Sequence, residues 1–409
     1  MRDILRLAGL ALLISASLAI SVQSQQIQIV PGGYILTPRS SVARPEDAGL
    51  RAHTNLHIFM PHENPDSSAP PPFAETPASL ACIYELVPQV PGCPIKGTSQ
   101  IPTGGFGAVG IVDAYDNPDA EQDLITYSTQ FNLPSCSKAN GCFYQVFANG
   151  VRPPNDPGNW SLEEALDIEM AHAMAPNAKI ILVEAASNNN SDLYFAETVA
   201  ARLVNEAGGG TISNSWSGSE YSTEADDDVN FQAQGIVYFA STGDSGAPAG
   251  YPAMSPYLVA AGGTTIIRGT NKVSENGWNG SGGGPSVYEP RPAYQNVVQS
   301  IVGTQRGTPD FSADANPITG PAIYDLDGNL NWFQIGGTSV SSPLLAGLVN
   351  TAGHHAPTTK SELTGLYNYA AAHYTQVWRD ETQGSNGYQC KVGYDFVTGI
   401  GSPLTYTGK

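Results

Sequence analysis

Short apolar runs recur along the chain at Ala108-Val109-Gly110-Ile111-Val112, at Ala178 to Glu184 (AKIILVE), at Gly235 to Ala240 (GIVYFA) and, more weakly, at Tyr257 to Ala261. Each has strand length, and the unbroken apolar character fits a strand covered on both faces. Stretches with helical spacing lie between them, at 162–174 and at 193–207. Strands that alternate with helices predict right-handed βαβ units, hence an α/β fold with a central parallel sheet flanked by helices. Functional groups in such sheets gather beyond the carboxyl ends of the strands. Residues 25–75 break this pattern with Pro31, Pro38, Pro45 and the run Ala69-Pro70-Pro71-Pro72. They predict an extended linker or short propeptide ahead of a globular domain spanning 76–409.

The first 24 residues read as a signal peptide. Arg2 and Arg6 precede an apolar stretch from Leu7 to Ile20, and Ser21 and Ser24 lie in a small-residue cleavage zone. That stretch is short for a membrane span, and no second long one follows. The expectation is an exported protein, extracellular or periplasmic, monomeric and without stable membrane association. Acidic residues outnumber basic ones 37 to 18 in the 409 residues. No basic stripe is left for a phosphate backbone, which excludes nucleic acid as a partner. Export permits disulfides. Cys82 and Cys93, and Cys136 and Cys142, are close enough in sequence to close small loops. That pairing would leave Cys390 over, and five cysteines leave other pairings open.

Three segments carry candidate chemistry. In Asn159 to Pro176, Ser161 followed by Glu164 predicts a capping box and a helix start, and Pro176 an early end. Glu163 and Asp167 then share one helix face. Two carboxyls so close divide a proton unequally, which suits a general base and its supporting acid. The plain alternative is a solvated acidic face, and Glu164 and Glu169 are read as such surface groups. In Gly336 to Pro343, small residues lead into an apolar helix, with Pro343 in its first turn. A serine there, Ser339, lies near unpaired N–H groups and the positive dipole end, as a nucleophile that develops an oxyanion needs. Plain N-capping is the alternative. In Phe239 to Gly246 a strand ends in a tight turn that displays Asp244. A protonated aspartic acid there donates to an oxyanion; an Asx-turn is the structural alternative.

Taken together, Glu163-x-x-x-Asp167, Ser241 to Gly246 and Gly337 to Pro343 resemble the sedolisin family of serine-carboxyl peptidases, which includes kumamolisin and tripeptidyl-peptidase I. The likeness spans residues 76–404 and adds Ser213-Asn214-Ser215-Trp216, Gly262 to Thr265, Ser281 to Ser286 and Arg306 to Ala315. The resemblance implies a subtilisin-like fold and a secreted peptidase acting on proteins or peptides. It implies Ser339 as nucleophile, Glu163 as general base, Asp167 as the group that tunes it, and Asp244 as oxyanion partner. It implies an endopeptidase with an acidic optimum, because glutamate stays a usable base near its own pKa of about 4.3. Ser215, Trp216, Gly282, Gly283 and Gly284 would line the substrate cleft.

The resemblance also implies one structural calcium ion. Asp380 and Asp395 would supply carboxylates, and Glu381, Lys391 and Gly393 backbone carbonyls. Glu381 and Lys391 stand where the family has an apolar residue and a glycine. A histidine-based subtilisin-like protease is disfavoured, since none of the seven histidines opens an H-G-T helix, and His172 lies well round from Asp167. A non-catalytic binding or scaffold protein of the same fold is the alternative from another class.

Overall fold

The computed structural model describes residues 25–62, 67–353 and 356–409, so the expected signal peptide lies outside the described residues. The predicted strands and helices form. The central eight-stranded sheet has the order 273–277, 259–268, 236–241, 210–214, 108–114, 179–185, 143–147, with 311–314 also paired to 259–268. Every pairing is parallel except that of the edge strand 273–277. The strand Ala108–Ala114 is central and wholly buried, which explains its unbroken apolar run.

Two helices bring the carboxylates and the serine together. The acidic helix, Trp160–Met174, packs against the serine helix, Thr338–Ala352. A Cβ on Gly347 would come within 2.8 Å of Met174 Cβ and 2.9 Å of the Ala171 carbonyl, so glycine sets this close approach. The acidic helix is also covered by the helix Ala120–Phe131 and the strand Ala322–Asp325. All fifteen of its residues are therefore buried.

The two helices correct three expectations. Glu164 and Glu169 do not face solvent; both are fully buried. The capping box is absent: Asn159 is the N-cap residue, and Ser161 Oγ accepts from the Gly158 N–H at 3.1 Å. Pro343 sits in the second turn of the serine helix, because the helix begins at Thr338 after Gly337.

Within the stretch 25–75, expected as an extended linker or short propeptide, residues 26–61 are not an extended linker but are built into the fold. Gln26–Val30, Gly33–Thr37 and His57–Pro61 continue an antiparallel sheet with Asn331–Gly336 and Ala322–Asp325. Three of its prolines fall at turns and element starts. Pro31 lies in the turn between the first two strands, while Pro38 and Pro45 open short 3-10 turns. Leu56 and Ile58 join the main core. Disulfides close Cys82–Cys93 and Cys136–Cys142, and Cys390 is free and buried.

Ile58 pairs with Ile335 two residues before Gly337. Replacing a buried isoleucine with alanine costs about 2–5 kcal/mol. Ile58→Ala should lower urea-unfolding stability by that order; a loss near zero would mean that this strand is not integral to the core.

Candidate active site

Ser339 is the second residue of its helix, at the carboxyl end of the sheet. Its Oγ donates to the Ser215 carbonyl at 3.1 Å and accepts from the Asn55 N–H at 3.1 Å. The residue before the helix, Gly337, has φ +110°. A Cβ there would lie 2.1 Å from the Asn55 carbonyl oxygen and 2.5 Å from Asp244 Oδ2. Only glycine fits, and those two oxygens flank the same spot. The Ser339 N–H donates to that Asn55 carbonyl at 3.0 Å.

Asp244 caps the serine helix from outside: its Oδ1 accepts from the Thr338 N–H at 2.7 Å and the Thr338 hydroxyl at 2.8 Å. Oδ2 is buried without a hydrogen-bond partner, 3.5 Å from His57 Nε2. Burial pushes Asp244 up to about 8, although both Thr338 bonds favour the anion. The same burial pushes His57 down to about 4. Between those values both groups are neutral, and Asp244 has a proton to give.

Glu163 and Asp167 are fully buried on the acidic helix. Burial first, then the charges of Asp167 and Asp113, hold Glu163 well above the usual carboxylate range, partly offset by the Ser339 hydroxyl. Glu163 is near enough to feel that hydroxyl, yet neither of its oxygens makes an oriented hydrogen bond. Asp167 accepts from Ser215 Oγ at 2.7 Å, and burial likewise raises its pKa. The structure thus brings Ser339, Glu163, Asp167, Asp244 and Ser215 together. Among the described residues no hydrogen bond joins a histidine to Ser339; His172 is a core residue with Nε2 2.8 Å from the Pro134 carbonyl.

Sequence reasoning missed several members. Asp113 is the penultimate residue of the central strand and sits among Asp167, Glu184 and Glu197; burial and then their charges drive its pKa far up. Glu164, beside Glu184, is raised by burial and by that neighbour, and burial lifts Glu184 to about 7. An acidic residue closing an apolar strand run was the available signal for Asp113. Asn55 and His57 gave none, since they lie in the stretch read as linker.

The other expected residues fall as follows. Trp216 pairs antiparallel with Thr54, and Ser217 with His53, so residues 53–55 run through the cleft. Gly282 backs the Asp244 turn, its N–H donating to the Gly243 carbonyl at 2.9 Å. Gly283 and Gly284 lie against Phe396 and Tyr388. Asp380 and Asp395 meet in one C-terminal loop: Asp380 accepts from the Gly393 N–H at 3.1 Å, and Asp395 from the N–H groups of Lys391, Val397 and Thr398 at 2.8–2.9 Å. The Glu381 side chain turns away to Ser402. No backbone N–H among the described residues is bonded to the carbonyls of Glu381, Lys391 or Gly393. Two carboxylates with open carbonyls beside them fit a hard, oxygen-seeking cation.

A parallel sheet flanked by helices, with a serine at a helix start and carboxyls in place of a histidine, defines a subtilisin-like α/β protein. Residues 152–381 match the subtilase family, and the chain belongs to it. Kumamolisin of Bacillus sp. (strain MN-32) is 32% identical over 297 residues, 62% of this chain and 51% of that protein. Sedolisin of Pseudomonas sp. (strain 101) is 28% identical over 358 residues, 75% of this chain and 58% of that one. The chain spans about half the length of the curated relatives it matches. The solved structure of Pseudomonas sedolisin, a serine-carboxyl proteinase complexed with two molecules of pseudo-iodotyrostatin, superposes with a TM-score of 0.63 at 24% identity. That match covers 81% of this chain and 95% of that one.

The buried carboxyls set a pH dependence. A carboxyl whose pKa is raised by folding binds more protons folded than unfolded, so its contribution to stability is complete below the unfolded value and is lost as pH rises through the folded one. Glu184 at about 7 and Asp244 at about 8 place the loss between about pH 4 and 8. The melting temperature should be higher at pH 4 than at pH 8. A melting temperature that rises across this range would mean that these groups ionise freely in the folded state.

Proposed function

We propose that the chain is an exported serine-carboxyl endopeptidase that cleaves proteins or peptides in acid, as a monomer. One observation carries the reading: the Ser339 N–H already donates to a peptide carbonyl, that of Asn55, beside the unpartnered Oδ2 of Asp244. That is the place an oxyanion would take, and a protonated aspartic acid is a donor to it.

Ser339 Oγ attacks the carbonyl carbon of the bound peptide as its proton passes to the Glu163 carboxylate. The oxyanion is held by the Ser339 N–H and the Asp244 carboxyl. Collapse breaks the C–N bond while Glu163 returns the proton to the leaving amine. Water then adds to the acyl ester as Glu163 takes its proton; collapse breaks the bond to Ser339 Oγ, Glu163 returns that proton to Oγ, and the carboxylic acid product leaves. Asp167 and Asp113 share the charge of Glu163, so the first proton to leave this group makes a base and the rest stay as acids. Raising the pH ionises Asp244, and an ionised carboxylate has no proton to donate.

Proteolysis of an unfolded protein should therefore peak in acid and vanish above about pH 8. Glu163→Gln should lower turnover at least about a hundredfold, the scale of general-base catalysis, and Ser339→Ala should abolish it. An alkaline optimum, or full activity in Glu163→Gln, would overturn the assignment.

Asp380, Asp395 and the carbonyls of Glu381, Lys391 and Gly393 are the residues that would hold one calcium ion as a brace of the C-terminal loops. A ligand that binds only the folded chain raises its stability. Chelator should lower the melting temperature, and Asp395→Asn should reduce that chelator effect. An unchanged melting temperature with no calcium in the purified protein would remove the site.

A further inference from the structure

The cleft is occupied by the chain itself, and its occupant shows what the site reads. Ala52 accepts from Asn188 Nδ2 at 2.7 Å and donates to the Asn188 carbonyl at 2.9 Å. His53 and Thr54 add an antiparallel strand to Ser217 and Trp216. The next carbonyl, that of Asn55, lies on the Ser339 N–H. An extended strand paired on one edge, with one carbonyl at the serine, is how a peptide is presented for acyl transfer. In that register Asn55 contributes the acyl group, and Leu56 the leaving amine.

The Asn55 side chain enters a pocket floored by two serines. Its Nδ2 donates to Ser241 Oγ at 2.7 Å and to Ser217 Oγ at 3.0 Å, and its Oδ1 accepts from Ser217 Oγ at 3.1 Å. Asn55, Ser217 and Ser241 are all buried, 1% exposed or less. Backbone closes in behind Ser217: a Cβ on Gly250 would meet Ser217 Cβ at 3.0 Å. Filling it with an apolar side chain would strip both hydroxyls of water and give nothing in return. A carboxamide both donates and accepts at this distance.

We infer that the Ser217–Ser241 pocket selects a side-chain carboxamide, that of asparagine, immediately before the cleaved bond, and that residues 52–56 are held in the cleft through this recognition. The inference rests on the peptidase reading and adds its primary specificity. Ser217 and Ser241 are the specificity-determining residues.

The test uses the full chain in acid, with casein and a series of fluorogenic peptides that copy the segment from His53 to His57. The series carries Asn, Ala, Leu or Phe at the position of Asn55. The Asn peptide should exceed the others at least about tenfold in kcat/KM, the scale of one buried hydroxyl left unpaired. Mass spectrometry of the casein digest should show new carboxyl termini enriched in asparagine. Ser241→Ala and Ser217→Ala should each shrink the Asn-to-Ala ratio several-fold. Casein cut with equal use of Asn and Leu, or with Leu or Phe preferred, overturns the inference and leaves the peptidase standing. If neither casein nor any peptide is cut at any pH, the peptidase reading fails and this inference with it. The wild-type peptide series decides the question even if a serine variant does not fold.

Discussion

Burying a carboxyl group beyond the reach of any cation is tolerable only while it keeps its proton, and Asp113 imposes that condition on its neighbours. It lies near the carboxyl end of the central strand among Asp167, Glu163, Glu164, Glu184 and Glu197, all fully buried. Among the described residues no ion pair reaches any of the six. Water is excluded and counter-charge is missing, so protons are what hold this end of the sheet together. One negative charge can be spread over the group, but a second would be strongly unfavourable. The stability of the site and its chemistry therefore draw on the same set of protons.

Elsewhere the chain handles a buried carboxylate in the opposite way. Asp310 is fully buried but has Arg306 on both oxygens, at 2.8 and 2.6 Å, and the Tyr367 hydroxyl at 2.8 Å. It also accepts from the Ala260 N–H, which ties it to the neighbouring sheet strand. The two solutions are distinct in purpose. Arg306 holds both oxygens of Asp310 in a two-pronged pair as architecture, whereas Asp113 and Glu163 are left without fixed partners. Pro343 adds a link between helix and acid. Having no N–H, it leaves the carbonyl of Ser339 without its helical donor, and Ser215 Oγ lies 3.3 Å from that carbonyl and 2.7 Å from Asp167. The single Ser215 hydroxyl proton can serve only one of the two at a time, so the protonation of Asp167 is felt at the backbone of Ser339.

The sheet and its alternation of strands and helices were legible because a fully buried parallel strand has one signature, an unbroken apolar run. The spacing of Glu163 and Asp167 and the placing of Ser339 and Asp244 at element ends were legible for similar reasons. The surface reading of Glu164 and Glu169 failed because amphipathic reasoning assumes a solvent side, and this helix has none. The extended-linker reading failed for residues 26–61 because proline counts do not distinguish a chain that is extended from one that turns often between short strands. Asn55 was invisible for a deeper reason: its surroundings come from residues 162, 186 and 284 positions away in sequence.

The occupied cleft and the serine helix are two ends of one β ladder. Asn331–Gly336 runs directly into Gly337 and Ser339, and its partner His57–Pro61 continues from the strand in the cleft. Pairing of Gly33–Leu36 with Ile58–Pro61 spans the Asn55–Leu56 bond from both sides. A nick at that bond would thus leave a split protein rather than an open one. The nicked molecule would be two chains by covalent count and one by hydrogen bonding, with the piece ending at Asn55 held at high effective concentration by its own sheet. Emptying the cleft is then a dissociation, governed by strand pairing and dilution, and chemically separate from cutting the chain.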